Sequence, residues 1–143
     1  MSNSVIFHLA IPINDVTLAK QFYSEGLGCT IGRENAHAII FNVYGTQVVA
    51  HMTKEKLQPQ KGVYPRHFGL IFNNKSDWDA LAERAESHSL KFYQQRRQRF
   101  PEKQTEHWTF FLEDPFYNLL EFKYYAHEKA IFEKITDSDI GDR

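Results

Sequence analysis

The sequence predicts an α+β fold of two successive βαβββ modules, and three observations carry that expectation. Short apolar stretches alternate with period two like half-buried strands, and two stretches space their apolar side chains as helices do. One heptapeptide also recurs. It reads H-L-A-I-P-I-N from His8 to Asn14 and H-F-G-L-I-F-N from His67 to Asn73, 59 residues further on, and each copy opens on a residue able to bind a metal.

In the first module (residues 5–53), Phe7, Leu9, Ile11 and Ile13 recur at alternate positions, so Val5–Ile13 reads as a strand with His8 and Ala10 on its other face. Asn14 or Asp15 can cap a helix running to about Tyr23, with Val16, Leu18, Ala19 and Phe22 as its apolar stripe and Gly26 as a left-handed stop. Strands are then expected at Cys29–Arg33, His37–Tyr44 and Thr46–Thr53, the last two joined by a tight turn at Gly45.

Lys54–Pro65, which holds Pro59, Gly62 and Pro65, reads as a linker. The second module (residues 66–125) repeats the order. A strand is expected at Arg66–Phe72 and a helix at Ser76–His88, carrying Trp78, Leu81, Ala82 and Ala85 on its apolar side, with Ser76 and Asp79 resembling a capping box. Strands follow near Leu90–Arg97, His107–Leu112 and Asn118–Tyr124. Residues 1–125 thus form one domain, and residues 126–143 a polar tail with a short helix at Glu128–Lys134.

Composition narrows the function. At 143 residues the chain can bury a core without disulfides, and 42% hydrophobic with 24% charged residues describes an ordinary globular protein. Lys+Arg 17 against Asp+Glu 18 leaves net charge −1, so no overall field draws the chain to nucleic acid or to an anionic membrane. A small-molecule partner is expected. Cys29 is the single cysteine, the start Met1–Ser4 lacks signal-peptide character, and no apolar run approaches the roughly 20 residues that span a bilayer. The expected compartment is the cytoplasm.

Strand alternation then decides which side chains share a face. Phe68, Leu70 and Phe72 form the bulky set of one strand, leaving His67, Gly69 and Ile71 opposite; Leu120, Phe122 and Tyr124 leave Leu119, Glu121 and Lys123 opposite; Val48, Ala50 and Met52 leave Gln47, Val49 and His51 opposite. If the bulky faces pack under the helices, His8, His51, His67 and Glu121 point to the other side. Two imidazoles and a carboxylate are a standard ligand set for Fe, Mn, Zn or Ni as divalent ions, with positions left for water, dioxygen or a chelating substrate.

The segments F-H-L-A-I-P-I-N-D, F-Y-S-E-G-L-G at Phe22–Gly28, R-H-F-G-L-I-F and E-D-P-F-Y-N-L-L-E-F at Glu113–Phe122 together resemble the vicinal oxygen chelate superfamily, across roughly Val5 to Tyr125. That superfamily includes glyoxalases, extradiol dioxygenases and the fosfomycin- and bleomycin-resistance proteins. The resemblance implies paired βαβββ modules in an open, cup-like mixed-sheet barrel, one divalent metal held by His8, His67 and Glu121, and a homodimer. His51 stands on the strand where glyoxalase-like members carry a fourth ligand and dioxygenase-like members usually do not.

Three positions depart from the family pattern. Tyr117 replaces the glycine of the usual D-P-x-G turn, which predicts an altered turn; Phe111 stands where extradiol dioxygenases carry a tyrosine; and His51 replaces the glutamate of glyoxalase I, exchanging a carboxylate base for an imidazole. His107 is a candidate proton donor facing the cleft, and Arg66, Tyr117 and Gln47 are candidate substrate contacts. Arg96, Arg97 and Arg99 could receive an anion, although such charge runs are more often solvated. Two function classes follow: a metal-dependent lyase, isomerase or dioxygenase acting on a small oxygen-chelating substrate, or a metal-free protein that sequesters a small molecule. The ligand triad favours the enzyme.

Overall fold

A computed structural model describes residues 4–141, so the ends of the expected domain and tail lie outside the described residues. Eight strands form two four-stranded mixed sheets. The first holds β1 (His8–Ile13), β2 (Thr30–Glu34), β3 (Ala38–Val43) and β4 (Thr46–Met52) in the order β1-β4-β3-β2, with β1 parallel to β4 and the other pairs antiparallel. The second holds β5 (Phe68–Ile71), β6 (Lys91–Arg99), β7 (His107–Glu113) and β8 (Leu119–Tyr125) in the order β5-β8-β7-β6, again with one parallel pair, β5 with β8. Each module is therefore βαβββ, as expected. Each sheet is open, with two edge strands.

The chain forms two compact units. The first runs to Lys61 and takes in Arg84–Leu90 and Asp114–Asn118; the second is Gly62–Glu83, Lys91–Glu113 and the chain from Leu119 onward. Two short pieces of the second module in sequence thus belong to the first unit. Both are tied by specific contacts: Arg84 donates through Nε to the Gly26 carbonyl (2.9 Å) and through Nη2 to the Glu25 carbonyl (2.8 Å), while the Asp114 carboxylate accepts from the Tyr23 hydroxyl (2.6 Å).

In the first unit, Asp15 caps α1 (Val16–Ala19) by accepting from the Leu18 amide. The helix then widens into a π-helical segment, Lys20–Gly26, which extends past the expected end. The left-handed residue is Gly28 (φ +79°) rather than Gly26, whose lack of a side chain instead admits Leu90. Tyr44 and Gly45 make the predicted tight turn, both with positive φ. Ile11, Ile13, Val48 and Ala50 are buried as alternation requires, but Phe7 lies ahead of β1 and is 67% exposed. The Phe7 carbonyl nevertheless accepts from the Gln47 amide at 2.9 Å, so the chain already meets β4 one residue before the strand begins.

In the second unit α2 (Lys75–Ser87) is capped by Asn74, which accepts from Asp77 N (2.9 Å) and from the Ser76 hydroxyl (2.8 Å). The expected capping box is replaced, since Asp79 is committed to Lys75 and Arg96 at 2.9 Å each. Trp78, Leu81, Phe110, Leu112, Leu120 and Phe122 form the core, and Trp78 Nε1 donates to the Phe122 carbonyl. The opposite face of the sheet is left to His107, Thr109, Phe111, Glu121, Lys123 and Tyr125, with ladder pairs 107–125, 109–123 and 111–121. A short helix, α3 (Lys129–Phe132), opens the tail. No helix among the described residues is long and apolar enough to cross a membrane.

Candidate metal centre

His67 lies one residue before β5, and Glu121 sits within β8, the parallel neighbour of β5. Gly69 pairs with Glu121 and lets the strands approach closely: a Cβ at Gly69 would lie 1.6 Å from the Glu121 carbonyl oxygen. That approach sets His67 Nε2 3.0 Å from Glu121 Oε1. Nδ1 of the same ring donates to the Val63 carbonyl at 2.7 Å, and the Thr109 hydroxyl donates to Glu121 Oε2 at 2.6 Å. Phe111, fully apolar where a dioxygenase tyrosine was the comparison, meets the imidazole edge-on with centroids 5.1 Å apart.

With Nδ1 protonated, the metal-free pair is an imidazolium against a carboxylate. The hydrogen bond to Glu121 raises the His67 pKa against the opposing effect of burial. Burial pushes the Glu121 carboxyl upward, but His67, Lys123 and Thr109 outweigh it and the net direction is downward.

The same geometry suits a divalent ion. Adjacent donors of an octahedral shell with bonds of ~2.1 Å lie about 3.0 Å apart, the separation between Nε2 and Oε1. An N–H···O=C contact at Nδ1 and a hydroxyl on the free carboxylate oxygen are the outer contacts that orient metal ligands. Among the described residues no group of three or more His, Cys, Asp or Glu side chains gathers closely enough to hold a metal. The second unit thus offers two donors.

In the first unit, His8 donates through Nδ1 to Gln47 Oε1 at 2.7 Å, and Gln47 is also its ladder partner. Both histidines of the repeat therefore have Nδ1 committed to an oxygen, while Nε2 of His67 meets Glu121. Gln47, expected as a substrate contact, is the residue that orients His8. The repeat also aligns Ala10 with Gly69. Gly69 pairs with Glu121 and Ala10 with Val49, so the first-module counterpart of Glu121 is Val49. His51 pairs with Pro12, two residues and ~6.6 Å further along the strand.

The model of the Glyoxalase/Bleomycin resistance protein/Dioxygenase superfamily matches residues 5–122. The chain belongs to this superfamily. A glyoxalase/bleomycin resistance protein/dioxygenase from Alicyclobacillus acidocaldarius is 39% identical, with TM-score 0.86, covering 92% of this chain and 100% of its own. The genomically encoded fosfomycin resistance protein of Listeria monocytogenes (13% identity, TM-score 0.68, 91% of this chain and 100% of its own) shares the fold. So does an integron cassette protein from the mobile metagenome of V. cholerae (20% identity, TM-score 0.61, 88% and 98%). No curated protein sequence matches the chain.

Other candidates in this superfamily member fall elsewhere. Arg66 is exposed beside the start of β5, and Tyr117 lies in the 114–118 turn of the first unit, 37% exposed. Arg96 is paired with Asp79, and Arg99 stacks on Phe100. Burial pushes the Cys29 thiol up to about 12, against the opposing charge of Arg84, which removes thiolate chemistry near neutral pH. Thr109 was missed in the sequence although alternation from His107 places it on the site face; Val63 acts through its carbonyl, for which no side-chain signal exists.

His107 is buried and donates Nδ1–H to the Thr105 carbonyl at 2.9 Å, with Tyr125 and Phe100 beside the ring. Burial lowers its pKa, which favours the neutral ring. Below the ordinary value of 6.5 the unfolded chain takes up a proton that the folded chain refuses, so stability falls with pH until the folded value is passed. Urea unfolding at pH 7.5 and 5.5 is expected to show this acid loss in the wild type and a smaller one in His107→Gln. Equal losses would assign the acid sensitivity to other groups.

Proposed function

We propose that the chain is a divalent-metal-dependent enzyme acting on a small substrate that chelates the metal through two oxygens. His67 and Glu121 supply two ligands and His8 the third, from the same chain or across a homodimer. The supporting observation is the matched preparation of the two repeat histidines. Each ties Nδ1 to an oxygen, and at His67 the other ring nitrogen, Nε2, stands at ligand spacing from the Glu121 carboxylate.

Imidazole and carboxylate donors suit Fe(II), Mn(II), Zn(II) or Ni(II). When bound, such an ion polarises substrate oxygens and stabilises negative charge that develops on them. The chain's own residues prepare that place. Thr109 holds the carboxylate orientation, Val63 fixes the imidazole tautomer, and Phe111 shields one side of the pair from water. Because Val49 occupies the place equivalent to Glu121, the reading favours three protein ligands with positions left for substrate, and sets His51 outside the shell. A second copy of the chain is expected to cover Val5, Ile6 and Phe7, which are 78%, 73% and 67% exposed just ahead of edge strand β1.

The test is metal titration of untagged, chelator-stripped protein, including Fe(II) under anaerobic conditions. One ion per chain is expected, with affinity at least 100-fold weaker in His67→Ala and Glu121→Ala and within 3-fold of wild type in His51→Ala. Stoichiometric metal lost as fully in His51→Ala would replace the three-ligand reading with four ligands. No stoichiometric metal with any of the four ions would sink the enzyme reading in favour of metal-free sequestration of a small molecule.

A further inference from the structure

We propose that Lys123 and Tyr125 form an oxyanion subsite beside the metal pair, so that the substrate carries an acidic group, carboxylate or phosphonate, next to its chelating oxygens. The proposal rests on the functional reading above for the word substrate, and on the second unit alone for the subsite.

Lys123 and Tyr125 follow Glu121 at alternate positions of β8, and so share its face. Lys123 Nζ donates to the Tyr125 phenol oxygen at 2.6 Å and lies 4.7 Å from the centre of its ring. That contact uses one ammonium proton and one phenol lone pair. Two ammonium protons and the phenol proton remain to be donated, three hydrogen-bond donors on adjacent groups. Among the described residues Lys123 has no carboxylate at ion-pair distance, and its direct partner is a neutral phenol.

Among the described residues, Glu121 is the carboxylate this face sets against two cations, His67 at 3.0 Å and the Lys123 charge that also helps hold it ionised, and a bound divalent ion would only add positive charge. His107, across the ladder from Tyr125, contributes none while neutral, and the Thr109 hydroxyl, across from Lys123, is spent on Glu121. A half-buried ammonium that shares a carboxylate with an imidazole gains from a ligand that supplies a further negative charge. Lys123 is two residues, ~6.6 Å of backbone, along the strand from Glu121, within the reach of one small ligand. A small molecule spans that distance with its chelating oxygens at one end and its acidic group a few bonds away. Tyr125 also borders a cavity of ≈ 540 Å³ beneath the C-terminal segment, shared with Thr105, His107, Ile131 and Ile135, which can take an organic body attached to that group.

The probes are inorganic phosphate, methylphosphonate and succinate, titrated into metal-free protein at low ionic strength and followed by amide NMR shifts along β7 and β8. Wild type is expected to saturate with at least one of them. Lys123→Met should weaken that binding 10-fold or more, Tyr125→Phe about 3-fold, and Lys123→Arg should restore it to within 3-fold of wild type, all at unchanged circular dichroism. Wild-type protein with no saturable shift, or Lys123→Met binding as wild type does, overturns the subsite. Metal titration of the same variants separates the two ideas: anion binding lost with metal binding intact supports the subsite, whereas metal binding lost with anion binding intact makes Lys123 a support for the metal ligands and overturns it. Should wild type bind the anion but no metal, the subsite stands and the metal reading fails.

Discussion

Gly69→Ala is expected to destabilise the protein by more than ~3 kcal/mol. The added Cβ would sit 1.6 Å from the Glu121 carbonyl oxygen, 2.6 Å from its carbonyl carbon and 2.8 Å from its amide nitrogen. None of these is the movable end of a side chain. The clash can be relieved only by parting β5 from β8, which breaks the parallel ladder and moves Glu121 away from His67. For a chain of this size that corresponds to a fall in melting temperature of roughly 10 °C or more. Ala10→Gly, at the equivalent place in the other module, is the control: Ala10 already carries a Cβ opposite Val49, so its loss should cost only about 0.5–1 kcal/mol. Thermal and urea unfolding of both variants checks the pair. A Gly69→Ala protein within 1 kcal/mol of wild type would contradict the close approach of these strands.

The contrast between Gly69 and Ala10 also marks what the sequence could and could not disclose. Alternation located β1, β4, β5 and β8, because a half-buried strand imposes period two on its side chains whatever the neighbouring strand does, whereas β2 is exposed along its length and carries no such pattern. It placed His67 and Glu121 on one face for the same reason. It could not say that Glu121 stands opposite Gly69, since period two is blind to register. That blindness explains His51: alternation put Gln47, Val49 and His51 on one face, and only the ladder selects Val49 as the counterpart of Glu121. The first helix failed differently. An apolar stripe survives when the turns widen, so the π-helical segment Lys20–Gly26 and the shift of the left-handed residue to Gly28 left no trace in the pattern. Choosing Asn74 over Ser76 as the cap of α2 is a matter of one or two residues, the margin within which helix ends are ordinarily misplaced.

Asp114→Ala is expected to cost about 3–5 kcal/mol, because one buried carboxylate satisfies four donors at once. Oδ2 accepts from the Tyr23 hydroxyl at 2.6 Å and from Asn118 Nδ2 at 2.8 Å, while Oδ1 accepts from the amides of Phe116 and Asn118 at 2.8 Å each. Burial lifts the Asp114 carboxyl above the ordinary range despite those donors, and burial followed by the Asp114 charge drives the Tyr23 phenol well upward. Alanine would leave a fully buried phenol and two turn amides without acceptors; Tyr23→Phe, removing one donor and leaving the other three, should cost only about 1 kcal/mol. Tyr117 stands in the same turn. Asp114 N still donates to the Asn118 carbonyl and Tyr117 N to the Asp114 carbonyl, so the turn closes with Tyr117 itself at φ +68°, the left-handed conformation that glycine adopts freely. Tyr117→Gly relieves that strain at some cost in unfolded-state entropy, and should raise stability by on the order of 0.5 kcal/mol. Urea midpoints moving in opposite directions for Asp114→Ala and Tyr117→Gly would show a turn held by its carboxylate against a strained residue. A Tyr117→Gly midpoint below that of wild type would mean that the tyrosine ring's contacts outweigh the strain of its backbone.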